Sequence, residues 1–156
     1  MRVLLILFVF NTALIYAQQI DYNTKKGFVA NGYDVVSYFD DNPVEGNKKF
    51  ITQFEGVSYK FSTQKHLNTF KANPTKYIPQ YGGYCAYAIG ATAEKVKINP
   101  ETYQILDGKL YLFYNAWGTN TLELWKKDLK GLKQKADKNW EHIKVKINAV
   151  EKEKLR

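Results

Sequence analysis

The sequence predicts a small single α+β domain, in which two β-hairpins form a small antiparallel sheet packed with helices. Two stretches, FITQFEGVSYKF (50–61) and YQILDGKLYLFY (103–114), alternate apolar and polar residues around Glu55-Gly56 and Asp107-Gly108. Alternation on both sides of a two-residue turn is typical of a β-hairpin. From Leu122 onward, apolar residues recur at steps of three or four, which predicts C-terminal amphipathic helices.

The segments between and after the hairpins have helix signals. Ser62 or Thr63 can cap a helix that Asn73 and Pro74 would end, and a short helical turn is predicted around TKYIPQY (75–81). Gly82-Gly83 predicts a tight backbone turn. Within the C-terminal helical stretch, which runs through Ile147, Gly131 is predicted to break or bend the helix.

The two ends of the chain are predicted to lie outside the folded domain. Residues 1–17 have a charged start, an apolar middle and a small residue at the exit, which is the pattern of a secretory signal. An uncleaved anchor or an N-terminal strand is the alternative. Residues 18–27 are interpreted as a polar lead-in, 28–147 as the domain, and 148–156 as a basic tail that frays. We therefore expect a periplasmic or secreted protein without a stable membrane span after cleavage.

The positive charge of the chain is unevenly distributed. Its net charge is +8, and residues 126–156 carry 11 Lys or Arg against 5 acids, whereas residues 18–125 carry 11 Lys against 10 acids. A solvated helix face is the simplest explanation, and an anionic envelope surface as partner is the alternative. Nucleic acid is not an expected partner of an exported protein.

Four strings resemble a known family, the exported YHS-domain proteins. They are GYDVVSYF (32–39), YKFSTQKHLNTFKANPTKYIPQYGGYCAYAIG (59–90), DGKLYLFYN (107–115) and WKKDLKGLKQKADKNW (125–140). The resemblance covers roughly residues 28–143. YHS domains occur in copper-transporting ATPases and some hydroxylases and are described as metal-binding modules, so the resemblance implies metal binding. The metal-associated versions resemble YxFCSxxCxxxF, and Ser62 and His66 stand here at the two cysteine positions.

The candidate metal ligands are Cys85 and His66. Cys85 is the only cysteine of the chain, which contains two histidines. Thiolate and imidazole together suit copper or zinc; a closed zinc site needs four ligands, whereas Cu(I) accepts two or three. A copper ion held by Cys85 and His66, within one chain or shared in a homodimer, is the leading hypothesis. The alternatives are a Cys85 that packs as a small apolar side chain, a redox thiol or a nucleophile, and a His66 that only makes hydrogen bonds.

The aromatic residues suggest a second function. The chain has 12 Tyr, 9 Phe and 3 Trp, enough to line a pocket for a small planar or apolar ligand or, equally, to fill an ordinary core. The candidate ligand-binding residues are Tyr38, Tyr81, Tyr84, Tyr87 and Asp34, of which Asp34 can also be a turn or cap residue. A metal-free module for a small ligand or a partner protein is therefore the alternative function. No catalytic motif is recognised, and we do not expect an enzyme.

Overall fold

The computed structural model describes residues 20–145, which form a small α+β domain as the sequence predicts. The predicted signal at 1–17, the predicted tail at 148–156 and Ile147 of the apolar stripe lie outside these residues. None of the helices formed by residues 20–145 has the length and hydropathy needed to cross a lipid bilayer.

The strands are short and mostly paired as hairpins. They are β1 (Thr24–Lys25), β2 (Phe28–Val29), β3 (Asn47–Phe54), β4 (Val57–Phe61), β5 (Asn99–Leu106), β6 (Lys109–Phe113), β7 (Asn115–Ala116) and β8 (Thr119–Asn120). The helices are α1 (Gln64–Ala72), α2 (Pro74–Tyr77), α3 (Ala86–Thr92), α4 (Thr121–Lys127) and α5 (Leu129–Ile143), together with three single 3₁₀ turns at Ala30–Gly32, Ser37–Asp40 and Gln80–Gly83.

Both predicted hairpins are present, with the predicted turns. Glu55 and Gly56 join β3 to β4, Asp107 and Gly108 join β5 to β6, and all four residues have positive φ angles between 49° and 78°. Two consecutive positive φ angles match the right-handed twist of the flanking strands. The hairpins therefore follow from local turn chemistry.

The expectation that the two hairpins share one antiparallel sheet is wrong. β3 and β4 belong to a mixed sheet of order β1-β2-β4-β3, because β2 pairs in parallel with the outer edge of β4. β5 and β6 form a separate two-stranded sheet. The free edge of β6 is covered by bridges from Pro79 to Leu110 and from Cys85 to Leu112. The outer edges of β4 and β6 are therefore occupied by other parts of the chain.

Strand β6 lies between the two halves of the core. Leu110 and Leu112 belong to one apolar cluster, with the β3–β4 hairpin and α1, whereas Tyr111 and Phe113 belong to the other, with α3, α4 and α5. Alternate side chains of a strand point to opposite faces, so β6 is buried on both sides. Its near-continuous apolar sequence follows from that position.

The C-terminal helical stretch breaks three residues earlier than predicted. α4 ends at Lys127 and α5 begins at Leu129, with Asp128 between them, whereas Gly131 lies inside α5. The Asp128 carboxylate accepts a hydrogen bond from the Gly131 N–H at 3.1 Å and caps the new helix. A Cβ at position 131 would come within 2.5 Å of that carboxylate. Gly131 therefore leaves room for the Asp128 cap, and it does not break the helix.

The predicted lead-in contributes to the domain. Tyr22 is buried in the same apolar cluster as Leu110, and the Asn23 side chain donates a hydrogen bond to the Gly83 carbonyl at 2.9 Å. Ile20 forms a bridge with Val145. The folded unit therefore begins before residue 28, because these residues hold the turn at Gly82 and Gly83.

Candidate functional site

Asp34 is the centre of a buried polar cluster. Its side chain is 0% exposed, and Oδ1 accepts a hydrogen bond from the Val36 N–H at 3.0 Å. Oδ2 accepts from the Ser62 N–H at 2.8 Å, the Ser62 hydroxyl at 2.7 Å and His66 Nδ1 at 2.7 Å. A buried carboxylate requires partners of this kind. The cluster connects the loop before β3 to the start of α1.

The cluster orients the imidazole of His66. Thr63 caps α1 and accepts the His66 N–H at 3.1 Å, which places His66 in the first helical turn. An ionised carboxylate only accepts hydrogen bonds, so Nδ1 carries the proton that is shared with Asp34. The other nitrogen, Nε2, lies 3.4 Å from the carboxylate of Asp40, a side chain that is 63% exposed. His66 therefore has one fixed nitrogen and one nitrogen directed toward the surface.

Serine, histidine and aspartate meet here without the geometry of a nucleophilic triad. In such a triad the histidine accepts the serine proton through one nitrogen and bonds the aspartate through the other. Here the Ser62 hydroxyl donates to Asp34, and its distance to His66 is 3.5 Å to the same nitrogen, Nδ1, that serves Asp34. The Ser62 hydroxyl is therefore not paired with a histidine base as in a triad, and the cluster orients an imidazole instead.

Cys85 lies in a different environment. It is the residue before α3, it is 0% exposed, and its sulfur lies 3.3 Å from the Thr121 hydroxyl at the start of α4. Its N–H donates to the Val96 carbonyl at 3.0 Å. The thiol forms no disulfide. These contacts are those of a core residue that joins α3, β6 and α4.

The predicted metal ligands, Cys85 and His66, share no hydrogen bond in the described part of the chain. Within residues 20–145, no group of three or more His, Cys, Asp and Glu side chains is arranged to hold a metal ion. Both nitrogens of His66 face carboxylates, and the sulfur of Cys85 faces a hydroxyl. Because Cys85 is fully buried, a metal site that used both residues would have its thiolate inside the core.

A cleft of about 440 Å³ is lined by residues outside the Asp34 cluster. Its lining comes from segments far apart in sequence: Tyr22 before β1, Glu55 in the β3–β4 turn, Tyr81 in the 3₁₀ turn, Lys109 at the start of β6, and Trp140 on α5. This volume is in the range of small-molecule sites. The cleft combines aromatic faces with charged groups.

Tyr81 has an unusual backbone in this cleft. Its φ is +53° and ψ is +40°, a left-handed conformation that bulky residues rarely adopt. Its hydroxyl donates to Asp137 at 2.8 Å, and burial together with that carboxylate raises the pKa of the Tyr81 phenol. Gly82 follows, and a Cβ there would come within 2.9 Å of the Trp140 ring. The tight turn thus brings Tyr81 and Gly82 close to the Trp140 ring.

The charged groups of the cleft differ in whether they have partners. Tyr22 donates to the Glu55 carboxylate, Lys133 pairs with Asp137 at 2.9 Å, and Glu141 pairs with Lys144. Lys109 has no hydrogen-bond or ion-pair partner for its ammonium group among residues 20–145. Lys109 is therefore the lysine of this lining that is left for a ligand, whereas Glu55 keeps its negative charge, because a hydrogen bond from a neutral phenol does not cancel it.

The other predicted ligand residues do not line this cleft. Tyr38 is buried and donates to the Pro100 carbonyl at 2.7 Å, and Asp34 belongs to the cluster described above. Tyr87 packs against both apolar clusters. Tyr84 donates to Asp21 at 3.3 Å, and burial together with that carboxylate raises its pKa to about 12. Of the five predicted residues, Tyr81 lines the cleft.

Sequence reasoning missed Asp40, Lys109 and Asp137. Lys109 and Asp137 lie in segments predicted only as strand and helix, and Asp40 lies in a segment without a predicted element. The sequence signal that could have indicated the cleft is Trp140, which lies on the predicted apolar stripe and is half-buried in the cleft lining. Comparison with family models, with curated proteins and with solved structures finds no match to this chain.

Proposed function

We propose that this chain is a non-enzymatic, YHS-like module that binds a small ligand in the cleft between the 78–82 segment and α5. The supporting observation is that a cation without a partner, Lys109, lies in the same lining as the strained Tyr81 and the half-buried Trp140. Strained backbone is retained where the surrounding structure enforces it, and it is concentrated at functional sites. We also infer export, because residues 1–17 have the pattern of a secretory signal.

The lining indicates the chemistry of the ligand. Trp140 provides aromatic surface for a planar or apolar body, and Lys109 provides a charge for one anionic group. The carboxylates of Glu55 and Asp137 already accept hydrogen bonds from tyrosines of the chain. The proposed ligand is an aromatic acid whose anionic group pairs with Lys109.

Ligand binding can be followed through the indole N–H resonances of the three tryptophans. Benzoate, indole acetate and phenyl phosphate are titrated into the protein, with benzyl alcohol as the neutral comparison. We expect an anionic probe to shift the Trp140 resonance, while the resonance of Trp125, which donates to Gln104 inside the core, stays in place. A Trp140→Phe variant assigns the signal.

Paired lysine variants distinguish this cleft from non-specific attraction. Lys109→Gln removes the cation from the lining, whereas Lys97→Gln removes an exposed lysine that does not line it. We expect Lys109→Gln to weaken binding of the anionic probe by about tenfold, the effect of losing one charge-assisted contact. Equal binding by both variants, or no shift at Trp140 with any anionic probe, would contradict a ligand site in this cleft.

A copper-type metal site remains a second candidate because of how His66 is held. A carboxylate that fixes the far nitrogen of an imidazole is the arrangement found around metal-bound histidines. His66 has this support from Asp34 at 2.7 Å, and Asp40 lies 3.4 Å from its outer nitrogen. Imidazole with carboxylate suits copper or zinc. This candidate uses Asp40 in place of, or in addition to, the predicted ligand Cys85.

Competition with a chelator tests the metal site. The reduced protein is titrated with Cu(I), and separately with Cu(II), in the wild type and in His66→Gln, Cys85→Ala and the control His142→Gln, which removes the exposed histidine of α5. We expect His66→Gln alone to lose affinity if His66 and Asp40 hold the ion. A loss of copper affinity in both His66→Gln and Cys85→Ala would support the site predicted from the sequence, in which Cys85 and His66 hold the ion. Equal, weak uptake by all four proteins would exclude both sites.

A further inference from the structure

Trp117 is presented to solvent at the tip of a tight hairpin. Its side chain is 96% exposed. β7 and β8 pair Ala116 with Thr119, which leaves Trp117 and Gly118 as the two turn residues. The hairpin is anchored to β5 by hydrogen bonds from Asn115 to the Thr102 hydroxyl at 3.1 Å and from Asn99 to the Asn115 carbonyl at 3.4 Å. The indole thus projects from a fixed support.

The fold itself does not require a tryptophan at this position. Trp117 has a φ of +53°, and Gly118 has a φ of +77°. This turn type favours Asn, Asp or Gly at its first position, because a left-handed conformation is unfavourable for bulky side chains. An exposed indole also adds no buried apolar surface to the folded state and so does not stabilise it. Trp117 is therefore unfavourable in two independent ways, which points to a role outside the folded domain.

A fluid surface fits this side chain better than a protein surface. A stable protein interface buries roughly 800 Å² on each partner, with several apolar side chains at its centre. Among residues 20–145, the exposed large apolar side chains are Trp117 and Ile51, the latter at 40%. A single indole at a loop tip, in contrast, is sufficient for the headgroup region of a bilayer, where tryptophan is enriched.

The positive net charge of the protein indicates that the bilayer is anionic. The chain carries a net charge of +8. The Trp117 hairpin continues without a linker into α4, because Asn120 ends β8 and also caps α4. The last turn of α4 contains Lys127 and also Lys126, which pairs with Glu123 at 2.9 Å. Lysines near a membrane are attracted by anionic lipids. Trp117 would thus add an apolar anchor to the attraction between these lysines and an anionic envelope surface.

We infer that Trp117 inserts into the headgroup region of an anionic lipid bilayer and, with the lysines of α4 and α5, holds the folded domain at that surface. The contact is peripheral and reversible, since one aromatic side chain and diffuse charge bind far more weakly than a spanning helix. Salt is expected to weaken it by screening the lysines.

Vesicle sedimentation tests this inference. The chain from Gln18 onward keeps every described residue and omits the apolar segment that would enter a bilayer by itself. It is mixed with vesicles of phosphatidylcholine alone or of phosphatidylcholine and phosphatidylglycerol. We expect binding to the anionic vesicles, with a blue shift of the exposed indole fluorescence. We expect Trp117→Asn to lower the partition coefficient about tenfold, because burial of a large aromatic ring contributes at least that much.

Two comparisons exclude trivial explanations. Asn suits the left-handed turn position, so Trp117→Asn is expected to melt no lower than the wild type, and its loss of binding cannot come from unfolding. Ile51→Asn removes the other exposed apolar side chain and is expected to bind as the wild type does. The inference is overturned if the wild type ignores anionic vesicles, binds neutral vesicles equally well, or binds no better than Trp117→Asn.

Discussion

Replacing Asp34 by alanine should destabilise the protein more than any surface substitution, because four donors lose one acceptor. The Val36 N–H, the Ser62 N–H, the Ser62 hydroxyl and His66 Nδ1 all donate to this carboxylate at 2.7–3.0 Å. The side chain is 0% exposed. Its removal leaves these groups partly buried without a partner. A buried donor without an acceptor has lost its hydrogen bonds to water and gains none in the protein, which destabilises the folded state.

The expected magnitude follows from these contacts. A hydrogen bond to a charged group contributes about 1.5–3 kcal/mol, but bonds that share one acceptor do not add independently. A buried donor left without a partner costs about 1–3 kcal/mol, so the loss for four coupled donors is about 3–5 kcal/mol. We adopt that range for Asp34→Ala. It is a large part of the roughly 5–15 kcal/mol by which a domain is stable.

Urea denaturation followed by circular dichroism measures this loss. With a slope near 2 kcal/mol per M, a loss of about 4 kcal/mol lowers the midpoint by about 2 M without changing the slope. The matched control is Asp40→Ala, because Asp40 contacts the other nitrogen of the same imidazole but is 63% exposed. We expect the control to lose less than about 0.5 kcal/mol. A loss below about 1 kcal/mol for Asp34→Ala would refute the view that this carboxylate organises the cluster.

Three further predictions concern the core and the cleft. Gly90→Ala should lose about 1–3 kcal/mol in the same urea assay, because the added Cβ would lie 2.6 Å from the Leu132 carbonyl oxygen; unchanged stability would contradict the close contact of α3 with α5. Cys85→Ala should lose about 1 kcal/mol without changing probe binding in the cleft, and the wild-type thiol should react with a thiol reagent only after unfolding, since it is fully buried. Burial and Asp137 raise the pKa of Tyr81, so the folded state keeps a proton that the unfolded state releases above about pH 10, and stability must fall as the pH rises past that value. Thermal melts between about pH 8 and 11 should show a shallower fall for Tyr81→Phe, and an identical slope would contradict the shifted pKa.

Local signals predicted most of the secondary structure correctly. Glu55-Gly56 and Asp107-Gly108 form the predicted turns, Thr63 caps α1 as one of the two proposed caps, and α1 ends at Ala72, just before Asn73-Pro74. Each of these features depends on the backbone preferences of two or three neighbouring residues. Such preferences can be read without knowing what the segment packs against.

The predictions of where the last helix breaks and of which strands pair were less successful. Gly131 was expected to break the last helix, but Asp128, three residues earlier, supplies the cap that starts α5. The two hairpins were expected to share a sheet, but β2 occupies the edge of β4 and the 79–85 segment covers β6. A period-two pattern specifies which face of a strand is buried, and it says nothing about which strand lies beside it.

By itself, the sequence determined the α+β class, the two hairpins, the first helix and the amphipathic C-terminal stretch, because neighbouring residues alone set turns, caps and periodicity. Only the tertiary structure decided where the chemistry lies. It brought Asp34 to His66 across 32 positions, placed Cys85 against Thr121 across 36, and assembled a cleft from Tyr22, Lys109 and Trp140. Contacts at such separations form through the packing of the whole core, in which β6 is buried on both faces, and no short window of sequence carries that information.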